Sequence, residues 1–216
     1  MNIGVLGTGT VGRTIASRLV ELGHAVTMGA RQAGNDNATA WASAHHGRAG
    51  TFAEAAEFGA IVVNCTAGTG SLEALAAAGD RHLAGKVLID VSNPLDFSAG
   101  LPPTLAVANT DSLAERIQAA YPATRVVKAL NTVTASVMVR PDTVPGDHLV
   151  FVAGEDADAK ELVRGLLGEF GWPAARVLDV GGVRAARGLE MYLPLWLSLY
   201  GALGTGEFNI AVHAAQ

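Results

Sequence analysis

Ile3-Gly4-Val5-Leu6-Gly7-Thr8-Gly9-Thr10-Val11-Gly12 stands at the head of the 216-residue chain, a short apolar run that passes straight into a Gly-x-Gly-x-x-Gly pattern. The apolar run reads as a strand. From Thr10 onward the chain reads as a helix, because Val11, Ile15, Leu19 and Leu22 make one apolar stripe while Arg13, Arg18 and Glu21 point away, and Gly23 closes it. A glycine turn between a strand and a helix has a defined use. Gly7 permits the tight turn, Gly9 lets a ligand approach the backbone, and Gly12 lets the helix sit against the strand. The helix start meanwhile offers free N–H groups and a partial positive charge. The pattern therefore predicts a pyrophosphate of a dinucleotide held by Gly7, Thr8, Gly9, Thr10, Val11 and Gly12.

Outward from this stretch, β-branched runs alternate with alanine-rich helical ones, which implies parallel strands joined by crossover helices. Strands are expected at Asn2 to Leu6, Ala25 to Met28, Ala60 to Cys65, Lys86 to Asp90, Arg125 to Leu130 and His148 to Ala153, with a short one near Gly50. Helices are expected at Thr10 to Leu22, Thr39 to His46, Phe52 to Phe58, Ser71 to Ala78, Ser112 to Ala120, Ala157 to Phe170 and Arg184 to Leu203. Asp111 and Asp156 are placed to cap two of them. The fold class is α/β, a doubly wound, mostly parallel sheet with a small C-terminal helical extension. Pro141, Pro145 and Gly146 mark a boundary in Arg140 to Asp147, dividing a nucleotide-binding part (1–145) from a small lobe (146–216).

The end of the second strand predicts which dinucleotide. NAD-binding versions place an acidic residue about 20 residues beyond the glycines, on the ribose 2′-OH. Here Ala30-Arg31 stands at that point, and no acid lies between Glu21 and Asp36. Arg31 is a forked donor suited to the 2′-phosphate of NADP(H), with no carboxylate along this stretch to repel that phosphate.

In a doubly wound sheet the ligand lies beyond the carboxyl ends of the strands. The segments there are Cys65-Thr66-Ala67-Gly68-Thr69-Gly70, Val91-Ser92-Asn93-Pro94 and Leu130-Asn131-Thr132. They set Thr66, Ala67, Asn93 and Asn131 around one crevice, with the two asparagines as positioning groups; Asn93-Pro94 also reads as a plain turn and Asn131 as a strand cap. No catalytic acid or base is identified. Cys65 reads as a small buried hydrophobe, His45 and His46 as exposed, and Lys128, the nearest proton donor, lies inside a strand. Hydride exchange between two bound rings needs alignment and exclusion of water more than a proton donor.

Composition narrows the remaining classes. A net charge of -5 leaves no basic surface for a nucleic acid. A single cysteine fits a reducing compartment, the cytoplasm, and no metal-ligating motif is present. The first residues are a strand rather than a signal peptide. The apolar Leu189 to Gly204 is shorter than the ~20 residues a bilayer needs and contains Glu190 and Pro194, so it reads as a buried helix.

Gly7 to Gly12, Met28-Gly29-Ala30-Arg31, Val127-Lys128-Ala129-Leu130-Asn131-Thr132 and Ala186-Arg187-Gly188-Leu189-Glu190 together resemble the coenzyme F420-dependent NADP oxidoreductase family, over nearly the whole chain. Related cytosolic domains occur in the six-transmembrane metalloreductases. The resemblance implies NADP(H) across the glycine loop and Arg31, and a deazaflavin (coenzyme F420) or flavin-like ring stacked on the nicotinamide. Deazaflavin enzymes of the family often carry serine at the place of Ala30 and histidine at that of Asn131. Reduction of a small imine or carbonyl compound is the second option, and a non-catalytic NADP(H)-binding redox sensor the third. Tyr192, Trp196 and Tyr200 share one helical face, readable as a core or dimer seam or as an aromatic wall beside a second ring. A homodimer paired through this helix is expected.

Overall fold

In the computed structural model, which describes residues 1–215, β1 (Asn2–Leu6), α1 (Thr10–Glu21), β2 (Ala25–Ala30), α2 (Asp36–His45), β3 (Arg48–Thr51), α3 (Phe52–Phe58) and β4 (Ile61–Asn64) follow one another as strand–helix units. Then come α4 (Ser71–Ala78), α5 (Asp80–Leu83), β5 (Val87–Asp90), a small hairpin of β6 (Leu95–Asp96) and β7 (Thr104–Leu105), α6 (Leu113–Ala120) and β8 (Arg125–Ala129). The chain ends through α7 (Ala135–Val139), β9 (Val150–Ala153), α8 (Ala157–Phe170), β10 (Val177–Asp179), α9 (Ala186–Met191) and α10 (Leu193–Leu203).

Eight strands make one sheet in the order β10-β9-β8-β5-β4-β1-β2-β3. All neighbours are parallel except β8 and β9. This is the doubly wound α/β fold the alternation predicts. Successive strand residues bury on opposite faces. Ile3, Val5, Ile61, Val63 and Ile89 pack with α1, α2, α7 and α8, while Leu6, Val62 and Leu88 pack with α3, α4 and α6. The segment after Arg140 to Asp147 adds β9 and β10 to the same sheet.

Where expectation and structure differ, local chemistry explains it. The second helix starts at Asp36 rather than Thr39, because the Asn35 side chain accepts from the Ala38 N–H at 3.1 Å and closes the turn. Asp156 caps α8 as expected, but Asp111 does not cap α6. Ser112 does, taking the Glu115 N–H, while Asp111 binds the Ser112 N–H and the Arg116 guanidinium. His45 is half-buried rather than exposed, stacked on Trp41 with its Nε2 near the Ser17 hydroxyl. The final helix is broken in two at Tyr192, since Pro194 lacks the N–H that a continuous helix would use. Nor is it buried. Of α10 only Leu193 is sealed, and Leu195, Tyr200 and Leu203 are about half exposed.

Candidate functional site

The glycine loop has the geometry of a phosphate cradle. Gly7 has φ +115°, a left-handed conformation that favours glycine, and its N–H is tied to the Gly29 carbonyl at 3.0 Å. At Gly12 a Cβ would meet the Gly7 carbonyl oxygen at 2.2 Å, so α1 leans on the loop as only glycine permits. Gly9 faces open space instead. The helices α2, α3, α6 and α8 are each capped by their own Asn35, Thr51, Ser112 or Asp156. In α1 no side chain caps the start and no acid lies in the first turn, so its leading N–H groups are left for an anion.

To one side of the loop, Arg31 rims a small hollow of about 100 Å³ with Phe52, Thr66, Ala67 and Glu73. The carboxylate-free reading of this end needs correction. The sequence near Arg31 holds no acid, but α4 brings Glu73 Oε1 to 3.9 Å from Arg31 Nε, both side chains being 75% exposed. The pair is loose and solvated, worth at most ~1 kcal/mol, so the guanidinium remains free to turn to a phosphate.

To the other side opens a crevice of about 400 Å³, and Thr66, Ala67, Asn93 and Asn131 all line it. Its far wall is apolar, with Met138 from α7 and Leu193 and Trp196 from α10. Among the described residues no charged side chain reaches it. Trp196 is stacked with two further rings, Tyr200 at 5.5 Å and Phe208 at 5.4 Å. Cys65 is, among the described residues, the one titratable group on the wall, and burial first, then the Asp90 charge, push its thiol well above the usual range, so it stays protonated.

The two asparagines grip each other. Asn131 Nδ2 donates to Asn93 Oδ1 at 2.9 Å and to the Leu189 carbonyl at 3.0 Å, while Asn93 Nδ2 donates to the Asn131 carbonyl at 2.9 Å. Leu130, just before, has φ +64°, an unfavourable conformation for a branched side chain, and this reversal turns Asn131 back into the clasp. β8 stops at Ala129 for the same reason.

Beneath the crevice floor lies a sealed ionic cluster. Lys128 Nζ is 2.8 Å from Asp90 Oδ2 and 2.8 Å from Glu190 Oε1, and donates to the Ser92 carbonyl at 2.5 Å. All three side chains are essentially inaccessible. Burial alone would discharge the amine, but the two carboxylates outweigh it and hold it above the ordinary lysine value. Lys128 thus has no access to a substrate. One sequence signal could have revealed this cluster: three charges, Asp90, Lys128 and Glu190, each embedded in an apolar run, must find one another.

A glycine cradle at the carboxyl edge of a doubly wound parallel sheet, an arginine beyond the second strand and an apolar crevice across the loop define a dinucleotide-binding oxidoreductase domain. The chain belongs to the coenzyme F420-dependent NADP oxidoreductase family, and NADP(H) is that family's nucleotide. The family model described as "NADP oxidoreductase coenzyme F420-dependent" matches residues 2–94. A crystal structure from Arthrobacter sp. FB24, provisionally described as an F420-dependent NADP-reductase, is 49% identical, covers 98% of this chain and 99% of its own, and superposes with a TM-score of 0.92. The metalloreductase STEAP3 of Rattus norvegicus is 30% identical over 198 residues, 90% of this chain, and the chain spans 37% of that relative's length. A reductive aminase from Aspergillus terreus, in complex with NADPH and ethyl-5-oxohexanoate, shares the fold at 20% identity and a TM-score of 0.68, over 94% of this chain and 62% of its own. No helix among the described residues is long and apolar enough to cross a membrane.

Proposed function

We propose that the chain exchanges a hydride between NADP(H) and a deazaflavin, coenzyme F420, or a flavin-like acceptor, in the cytoplasm. The observation that carries this reading is the uncharged crevice. A carbonyl or imine reduction draws a proton from a nearby acid, and neither Lys128 nor Cys65 is available to give one. Two rings stacked face to face need no such acid.

In this reading Gly7, Thr8, Gly9, Thr10, Val11 and Gly12 hold the pyrophosphate, Ala30 and Arg31 the 2′-phosphate, and Thr66 and Ala67 the ribose passing between. Asn93 and Asn131 position the nicotinamide. NADPH supplies one hydrogen with its electron pair and the acceptor ring takes both, any proton it needs coming from solvent. Trp196, steadied by stacking with Tyr200 and Phe208, borders the second ring. Residues 146–216 serve as the lobe that completes this second site. The exposed Leu195, Tyr200 and Leu203 are the face through which a homodimer pairs.

The test is spectroscopic. NADPH is mixed in turn with oxidised coenzyme F420, FMN and FAD, and loss of the reduced-nicotinamide absorbance is followed. Turnover with coenzyme F420 or a flavin is expected. Turnover only with an imine or carbonyl compound, or tight NADPH binding with no acceptor at all, overturns the proposal. Sedimentation at micromolar concentration tests the dimer, which a monomeric mass removes.

A further inference from the structure

Both carboxylates of the sealed cluster act only as acceptors. Asp90 Oδ1 takes the Asn64 amide at 2.9 Å and the Ser92 hydroxyl at 2.6 Å, and Oδ2 takes Lys128. Glu190 takes the Leu113 N–H at 2.7 Å, the Ala114 N–H at 3.1 Å and Lys128. A carboxyl group that only accepts is ionised. Two negative charges against one positive leave the cluster with a net charge of −1. Glu190 sits on the N-terminus of α6, whose partial positive charge of roughly one half offsets only part of that excess. Arg187 with Glu115 and Arg116 with Asp111 are matched pairs, and Arg184, on the turn packed against α6, is exposed to solvent and screened.

This surplus lies one layer below the ring site. Ser92, which binds both Asp90 and Lys128, lines the crevice, and so does Asn93 beside it. With no charged side chain of the described residues in the crevice itself, the cluster is the charge hydrogen-bonded directly to its floor, through Ser92. The nicotinamide ring is cationic in NADP+ and neutral in NADPH, so a negative charge underneath favours the oxidised form.

We propose that Asp90, Lys128 and Glu190 set the redox preference of the site, their surplus negative charge holding NADP+ more tightly than NADPH and so driving the bound nucleotide to give up its hydride. This rests on the NADP(H) reading above. The three act through the floor rather than by touching substrate, as positioning residues with an electrostatic effect. A unit charge ~10 Å away at an effective dielectric of ~20 corresponds to about a tenfold difference between the two forms.

The experiment measures dissociation constants of NADP+ and NADPH separately, by titration calorimetry, for the wild-type chain, Glu190→Gln and Asp90→Asn. The wild type is expected to bind NADP+ more tightly, and either variant to shift the ratio of the two constants about tenfold toward NADPH. The phosphorylated adenosine half of the nucleotide serves as a control and is expected to bind all three equally. A merely structural role for the cluster would weaken both nucleotides together and leave the ratio alone. An unmoved ratio in a folded variant overturns the proposal, and if neither variant folds, a wild type that prefers NADPH tenfold does the same. A wild type that binds neither nucleotide instead overturns the NADP(H) reading itself.

Discussion

The two ends of the proposed nucleotide trough are built on opposite terms. At the adenosine end Arg31 and Glu73 stand in solvent, 3.9 Å apart, with nothing to hold either rotamer. At the nicotinamide end the charges are sealed beneath the floor, and the groups on the surface are amides locked to one another. Exposed charge is screened and adaptable, which suits discrimination between a ribose hydroxyl and a phosphate. Buried charge is rigid and strongly felt, which suits alignment of a reacting ring. The difference separates choice of nucleotide from chemistry.

That separation can be broken from either side. Asn131→Leu removes two hydrogen bonds of the clasp and is expected to slow hydride transfer by ~100-fold, as misplacement of about an ångström does, while NADP(H) affinity changes only slightly. Stopped-flow transfer rates beside binding titrations check it, and equal losses in both would merge the two ends. Arg31→Ala is expected to weaken NADPH by more than ~tenfold and leave NADH nearly unchanged, the loss of a charge-assisted phosphate contact. A parallel loss of both nucleotides would end the 2′-phosphate assignment. Glu73→Gln removes the carboxylate that competes for Arg31 and should tighten NADPH by only ~2- to 3-fold, in keeping with an exposed pair.

The smallest expected effect is on acid stability. Glu115 is held below its ordinary value of 4.5, first by its hydrogen bond from Arg187, a residue of the helix behind the nicotinamide end. A carboxylate depressed in the folded state contributes its full stability above the ordinary value, and that contribution fades as pH falls through the lower folded value. Melting temperatures measured from neutral pH down through 4.5 should fall more steeply for the wild type than for Glu115→Gln. Identical slopes would show that the bridge adds nothing there.

The first half of the molecule is readable because its signals are local. A strand, three spaced glycines and an apolar stripe lie in one continuous run, and each element is long enough to show its period. Arg31 follows from the same run by counting. The features that escape depend on residues distant in sequence. Glu73 reaches Arg31 from another helix, and the hairpin of β6 and β7 is too short to show alternation. The split of the final helix at Tyr192 is signalled by Pro194, yet its exposure is not, since an apolar run looks the same whether it faces a core or a partner. The mutual grip of Asn93 and Asn131 needs the reversed backbone at Leu130, which no propensity favours.

Leu130 has a consequence for anyone hardening this chain against heat. Its left-handed backbone invites replacement by glycine, which would relieve ~1–2 kcal/mol of strain. The same side chain, however, is 3% exposed and fills the core, and truncating a buried leucine costs ~2–5 kcal/mol. Thermostability engineering therefore has no profitable single step at this corner, because the atoms that resist the bend are the ones that keep the interior full.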